Sequence, residues 1–266
     1  MPIITLTSDY GFTDPYLPAV KARLLNSDPA LTLVDIAHYL EPGNVLQTAF
    51  ALQHSFRHFP KGTTHLILVE ELPERRKWLA TQIEGHYFVC ADNGILSLLC
   101  NGKSPETVVE LPLKGEEAAL FPGKEIMAGA AAALSKGASL LEVGAKAVEW
   151  LELSIQKPLP RGDGKLLSGI VVYVDNAGNL HTNITRALFE EYRQGRDFEI
   201  ALPLYSGKIT RLHRHYREAG SGTVIALFNA LGLLEIAIAA GKDQVHNGAS
   251  SLLGIGVNGE VNIYFK

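Results

Sequence analysis

Two carboxylates near the start of the chain, Asp9 and Asp14, have the types and the spacing to do chemistry. They lie in Thr7-Ser8-Asp9-Tyr10-Gly11-Phe12-Thr13-Asp14-Pro15-Tyr16, behind the apolar, β-branched run 2–6. That run is too short for a helix and reads as a buried strand. From Tyr16 onward the apolar positions Leu17, Val20 and Leu24 follow helical spacing. The pair therefore leaves the end of the first strand of an α/β unit, the edge at which open α/β sheets bind ligands. A carboxylate there can accept paired hydroxyl bonds or pair with an ammonium. The same residues also suit local roles, Asp9 fixing the turn and Asp14 capping the helix with Pro15 at its first position.

Polar clusters recur at other strand ends: Glu70 to Arg75, Asp92-Asn93, and Asp175 with Asn179. Together they offer acids and amides and few cations, which suits a cationic ligand with hydroxyls, such as an aminoacyl or ribosyl sulfonium, better than a phosphate. Gly102-Lys103-Ser104 has the tail of a phosphate-binding loop, but Ser97 stands where that loop requires glycine. His54 and His58 have the spacing of helical metal ligands without the glutamate that follows the first histidine in metalloproteases. His213 and His215 would share a strand face, and no third ligand accompanies them, so no metal site is expected. No activated-nucleophile signature is present.

The elements that must hold these groups alternate. Strands are expected over 31–36 and 64–69, over 78–83 and 86–91 as a pair, and over 107–111. Helices are expected from about 44 to 59, over 95–99, and over the small-residue run 128–134. That order makes the first half an α/β domain with a central, mostly parallel sheet flanked by helices. Residues 157–165 hold two prolines, two glycines and several charges and read as a linker. Beyond it, strands over 167–174, 198–202, 208–212, 223–228, 234–239 and 261–265, with one helix over 186–193, predict a small, mostly-β, barrel-like C-terminal domain. The expected domains are 1–156 and 166–266.

A net charge of −4 and a pI near 6.1 argue against a nucleic-acid partner, and the basic clusters 75–77 and 213–217 are local. Cys90 and Cys100 lie in apolar surroundings and read as reduced core residues. No secretory leader and no membrane-spanning run is apparent, so a cytoplasmic protein is expected.

The ordered motifs resemble those of the S-adenosyl-L-methionine (SAM) hydroxide adenosyltransferases, formerly unknown-function family 62, relatives of bacterial fluorinases and chlorinases. They are Leu6-Thr7-Ser8-Asp9-Tyr10-Gly11 with Asp14-Pro15-Tyr16, Val34-Asp35-Ile36-Ala37-His38, and Phe59-Pro60-Lys61-Gly62-Thr63. Asp92-Asn93-Gly94, Phe121-Pro122-Gly123-Lys124-Glu125, Val174-Asp175 with Gly178-Asn179, Thr182-Asn183-Ile184 and Gly232-Leu233-Leu234-Glu235-Ile236-Ala237 follow. The resemblance implies a homotrimer whose ligand lies between the N-terminal domain of one subunit and the C-terminal domain of the next. It implies that Asp9 binds the ribose hydroxyls, Asp14 the methionine end, Asp175 the methionine ammonium and Asn179 the adenine, with Tyr16 lining the pocket. No cofactor is implied; SAM is the substrate, and water or hydroxide attacks C5′ of its ribose to give adenosine and L-methionine.

The water-activating set of the family, Asp-Arg-His, is altered. The acid that ends the third strand is Glu70, in a loop about two residues shorter, and the arginine matches Arg75. The histidine is replaced by Pro122, and Ala177 and Ala230 replace a family aromatic and a family serine. Slow hydrolysis is therefore expected, with Glu70 and Arg75 as the catalytic pair and His38 or His86 as a stand-in for the histidine. A non-catalytic protein that binds adenosine or SAM is the alternative.

Overall fold

The computed structural model describes residues 2–100, 102–103, 105–113, 115–239 and 248–266; Ser104, in the loop weighed against phosphate binding, lies outside them. The chain divides into two units, Met1–Ile155 and Gln156–Lys266.

In the first unit β1 (Ile3–Ser8), α1 (Tyr16–Ser27), β2 (Thr32–Ala37), α2 (Val45–Gln53) and β3 (Thr64–Leu68) alternate as their patterns predict. The antiparallel pair β4 (Trp78–Ile83) and β5 (His86–Ala91) follows, then α3 (Ile95–Leu99), β6 (Val108–Glu110), α4 (Ala128–Ser135), α5 (Leu140–Val143) and β7 (Ala145–Lys146). The sheet order is β2-β1-β3-β5-β4-β6-β7. β2, β1, β3 and β5 run parallel, while β4, β6 and β7 extend the sheet antiparallel. Alternation in β3 feeds both faces: Leu66 and Leu68 join Leu17, Val20 and Leu24 of α1, whereas Ile67 packs with Ala49 and Leu52 of α2. Burial on both faces is what a parallel strand requires.

From β1 the chain crosses to β2 on one side and then returns to β3 on the other. The C-terminal ends of β1 and β3 thus flank a topological switch point, where a crevice opens. Helix α2 stops at Gln53 rather than running on to residue 59, and Phe56–His58 forms a separate 3₁₀ turn. His54 and His58 therefore share no helix face. Just before α4, Gly123–Met127 winds as one π-helical turn, a widening that is frequent at functional sites.

In the second unit β8 (Leu159–Arg161) structures part of the stretch read as a linker by pairing with β9 (Leu166–Val174). β10 (Leu180–Thr185), absent from the sequence expectation, forms a hairpin with β9. Then come α6 (Arg186–Arg193), β11 (Phe198–Leu202), β12 (Tyr205–Ile209), β13 (Leu212–His213), β14 (Val224–Phe228), β15 (Leu233–Ile238), α7 (Ala249–Leu253) and β16 (Glu260–Phe265). The main path is β12-β11-β16-β9-β10-β15-β14-β13, and β12 curls round to approach β14, giving the nearly closed, barrel-like sheet that was expected. Phe189 of α6 plugs it, its ring against Phe198, Phe228 and Phe265 at 5.2–5.8 Å.

Candidate active site

Asp9 follows β1 at the switch point. Its Oδ2 accepts the Gly43 N–H at 2.9 Å and the Glu70 N–H at 3.2 Å, tying the end of β1 to the end of β3. Among the described residues its Oδ1 accepts nothing, which leaves one carboxylate oxygen for a ligand. Asp14 is exposed and does not cap α1; Pro15 holds the N-cap position and no side chain bonds there. Tyr16, half exposed, packs its ring against Tyr10 at 5.8 Å and Phe121 at 5.5 Å.

Glu70 is exposed and holds a left-handed backbone, φ 45°. A non-glycine residue pays about 1–3 kcal/mol for such a conformation, and it persists only where the surroundings enforce it. Here it aims the Glu70 N–H at Asp9 while the chain turns on to Glu71. The Glu71 carbonyl accepts the Trp78 indole N–H at 2.8 Å, and its Oε2 accepts the Gly123 N–H at 2.7 Å. A Cβ at Gly123 would fall on that oxygen, on Leu68 and on the Tyr10 hydroxyl, so glycine is what lets the π turn come this close. Burial, opposed by the Tyr10 and Gly123 donors and helped by the charge of Asp9, holds the Glu71 carboxyl above its usual range. Burial and the Glu71 charge likewise push the Tyr10 hydroxyl up.

Arg75, exposed overall, is engaged by two acids: Nε lies 3.3 Å from Asp92 Oδ2 and Nη2 2.5 Å from Glu149 Oε1. Asp92 is buried, and its Oδ1 accepts the Leu151 N–H at 2.7 Å. Asn93 closes the turn by donating to Val69 O at 2.9 Å.

Neither stand-in histidine can reach water as a free base. His38 is 2% exposed, with Nδ1 2.6 Å from Ser8 Oγ and Nε2 3.0 Å from Asp35 Oδ1. It braces the Asp9 loop, since its carbonyl accepts the Gly11 N–H at 2.7 Å and its ring meets Phe12 at 4.7 Å. His86 opens β5 at the N-terminal edge of the sheet, opposite Asp9, and bonds with buried His65 at 3.3 Å.

In the second unit Asp175 and Asn179 form one structure. They bound the three-residue β9–β10 hairpin loop, in which Asp175 N–H donates to Asn179 O at 3.1 Å and Gly178 takes φ 76°. This is the loop that a type I turn plus a left-handed glycine builds. The Asp175 carboxylate accepts from Ala177 N, Asn179 N, Asn179 Nδ2 and His181 Nε2, at 2.8–3.3 Å. His181, Asn229 and Glu235 stand behind it, and sequence reading gave them no role in the site; Glu235, a lone acid among the apolar residues of the strand expected over 234–239, was the one available signal. Among the described residues no group of three or more His, Cys, Asp or Glu is arranged to hold a metal ion.

Residues 4–144 match the SAM hydroxide adenosyltransferase N-terminal domain, and residues 169–262 match its C-terminal domain. An (R)-S-adenosyl-L-methionine hydrolase of Thermus thermophilus is 28% identical over 246 residues, 88% of this chain and 91% of that protein. A fluorinase of an Actinoplanes species is 27% identical, over 89% of this chain and 90% of its own. An uncharacterized conserved protein from Thermotoga maritima has the same fold, with a TM-score of 0.84 at 25% identity, over 98% of this chain and 99% of that one. Both domain matches fall on the two units that the fold itself separates, in the same order, and on that footing this chain belongs to the SAM hydroxide adenosyltransferase family.

Proposed function

We propose that this protein is a SAM hydrolase that converts SAM and water to adenosine and L-methionine. The observation that carries the reading is the switch point itself: Asp9, with one oxygen open, is tied to the end of β3 at the Glu70 N–H, beside a half-buried glutamate, Glu71, that the Gly123 N–H holds in place. In this reading Asp9 accepts the ribose hydroxyls, and Asp14 and Tyr16 lie toward the methionine end. Asn179 meets the adenine. Water attacks C5′ opposite the sulfonium as a carboxylate takes its proton, and the C5′–S bond breaks with its electron pair going to sulfur. The products are adenosine, neutral methionine thioether and one proton. SAM is the substrate, and no further cofactor is invoked.

The geometry favours Glu71 over Glu70 as the base. Glu70 is exposed and its backbone serves Asp9, whereas Glu71 is shielded and held ready by the Gly123 N–H. Arg75 serves by bracing the Asp92 turn and by holding water against the pull of its two acids. A positioned base contributes about 10²–10⁴-fold, so replacing the family histidine by Pro122 supports slow turnover. Pro122 also favours the second reading, an adenosyl-binding protein without catalysis. We further propose a homotrimer with ligand sites shared between subunits, and a cytoplasmic location, which the two buried, unpaired cysteines suit.

Adenosine release from SAM tests this. Wild-type protein should exceed buffer, Glu71→Gln should lose at least tenfold in kcat with KM little changed, and Glu70→Gln should stay near wild type. Wild-type protein that binds SAM but is no faster than buffer would establish the binding-protein reading. Loss confined to Glu70→Gln would return the base to Glu70.

A further inference from the structure

One polar group at the switch point has no part in the reaction above: the Tyr10 hydroxyl. Tyr10 follows Asp9 directly, and its ring meets Tyr16 of α1 at 5.8 Å and Phe121 at 6.4 Å. Held there, the hydroxyl is sealed from solvent. A Cβ at Gly123 would lie 3.0 Å from it and 2.3 Å from Glu71 Oε2, so the two oxygens share one small space under the π turn. The hydroxyl thus faces the Glu71 carboxyl, though off the line of an ideal hydrogen bond. Pro122, between Phe121 and Gly123, has no proton to give. We infer that Tyr10 is a positioning residue for the base: its hydroxyl and the Gly123 N–H together hold the Glu71 carboxylate ionised and in one orientation, with its remaining acceptor positions free for the water. The inference rests on the SAM-hydrolase reading above.

An ionised carboxylate can only accept. A hydroxyl confined beside it must turn its hydrogen inward, and hydrogen bonds to the charged form favour that form. Burial and the charge of Asp9 work against the ionisation of Glu71, while the Tyr10 and Gly123 donors work for it. On Tyr10 itself burial, Glu71, Asp9 and Tyr16 all act to keep the proton in place, so the hydroxyl donates without giving its proton up. The Gly123 N–H, at 2.7 Å, fixes Oε2. That bond alone would let the carboxyl pivot about one oxygen; a second donor removes the freedom.

Adenosine release from SAM across pH, with Tyr10→Phe, tests the inference, because the variant keeps the ring and removes only the hydroxyl. The acid limb of kcat should move up by about one pH unit, the shift expected when one donor to a carboxylate is lost. Below the limb the rate should fall about tenfold with KM little changed, and above it the rate should approach wild type. A loss of the same size at every pH, or a limb that stays in place, would overturn the inference. Carbon-13 NMR needs no turnover: the Glu71 carboxyl signal, assigned by its loss in Glu71→Gln, should titrate about one unit higher in Tyr10→Phe. In the wild type the Tyr10 ring carbon that bears the hydroxyl should shift with the same midpoint, and that shift should vanish in Glu71→Gln. Should Tyr10→Phe fail to fold, this wild-type measurement decides, because a Tyr10 signal blind to Glu71 overturns the inference. Wild-type protein no faster than buffer would instead overturn the hydrolase reading, and the NMR titrations would still decide whether Tyr10 holds Glu71.

Discussion

Glu71 shows how one side chain can serve activity against stability. Its folded pKa is raised, so the folded protein holds that proton more tightly than the unfolded chain does. Its contribution to stability is full below the unfolded pKa and is lost as pH rises through the folded value. At neutral pH the charged group therefore weakens the fold, and Glu71→Gln, which keeps an acceptor for Gly123, should raise the melting temperature while it lowers turnover. The opposite sign governs His65, which burial and the neighbouring His86 push down to about 3. His86 shifts in the same direction, through burial. Above the ordinary histidine value of about 6.5 the pair contributes no pH dependence. Below it the unfolded chain takes up protons that the folded chain refuses, and stability falls at about 1.4 kcal/mol per pH unit for His65, with His86 adding in the same direction. Urea unfolding at pH 7, 6, 5 and 4 should show this slope, and it should flatten in His65→Gln.

At the scale of elements, the site depends on two irregularities set against regular neighbours. β3 ends in the left-handed turn at Glu70, and α4 is preceded by the π turn at Gly123–Met127. They meet where the Gly123 N–H bonds Glu71. A methyl group there would collide with Glu71, Leu68 and Tyr10 at once. Overpacking of this kind costs about 1–3 kcal/mol, and Gly123→Ala should lower the melting temperature accordingly. It should also reduce turnover at least tenfold by displacing Glu71. A stability loss with unchanged kcat would separate the π turn from the chemistry.

At the scale of the whole molecule, the proposed homotrimer makes a prediction that mass measurement alone does not. Light scattering should give three times 28.9 kDa at micromolar concentration. If sites are shared between subunits, Asp9→Ala and Asn179→Ala chains, each inactive alone, should regain part of the wild-type rate when refolded together, because some mixed trimers assemble an intact site. Absence of recovery, with mixed trimers demonstrated by mass, would confine each site to one chain. No helix among the described residues is long and apolar enough to cross a membrane.

Local pattern was enough to read the alternating strands and helices of the first unit, the position of Asp9 at the end of β1 and a turn over Asp175 to Asn179, though not the hairpin that this turn closes. Each of these is set within a few residues, by side-chain period and by turn chemistry. Beyond that range the sequence was silent or misleading. The strand Leu180–Thr185 was missed because His181, Thr182 and Asn183 look like loop residues until β9 and β15 pair with them from either side. Glu70 drew attention as the last acid of its strand, yet tertiary packing turned that residue outward and Glu71 inward. His38 and His86 stood equal in sequence, and only the sheet put one at the Asp9 edge, sealed by Ser8 and Asp35, and the other at the far edge. What tertiary structure alone decided was burial and partnership: which of two adjacent carboxyls is desolvated, and which lone pairs are already taken. Those depend on residues dozens of positions away, brought together only when the sheets close.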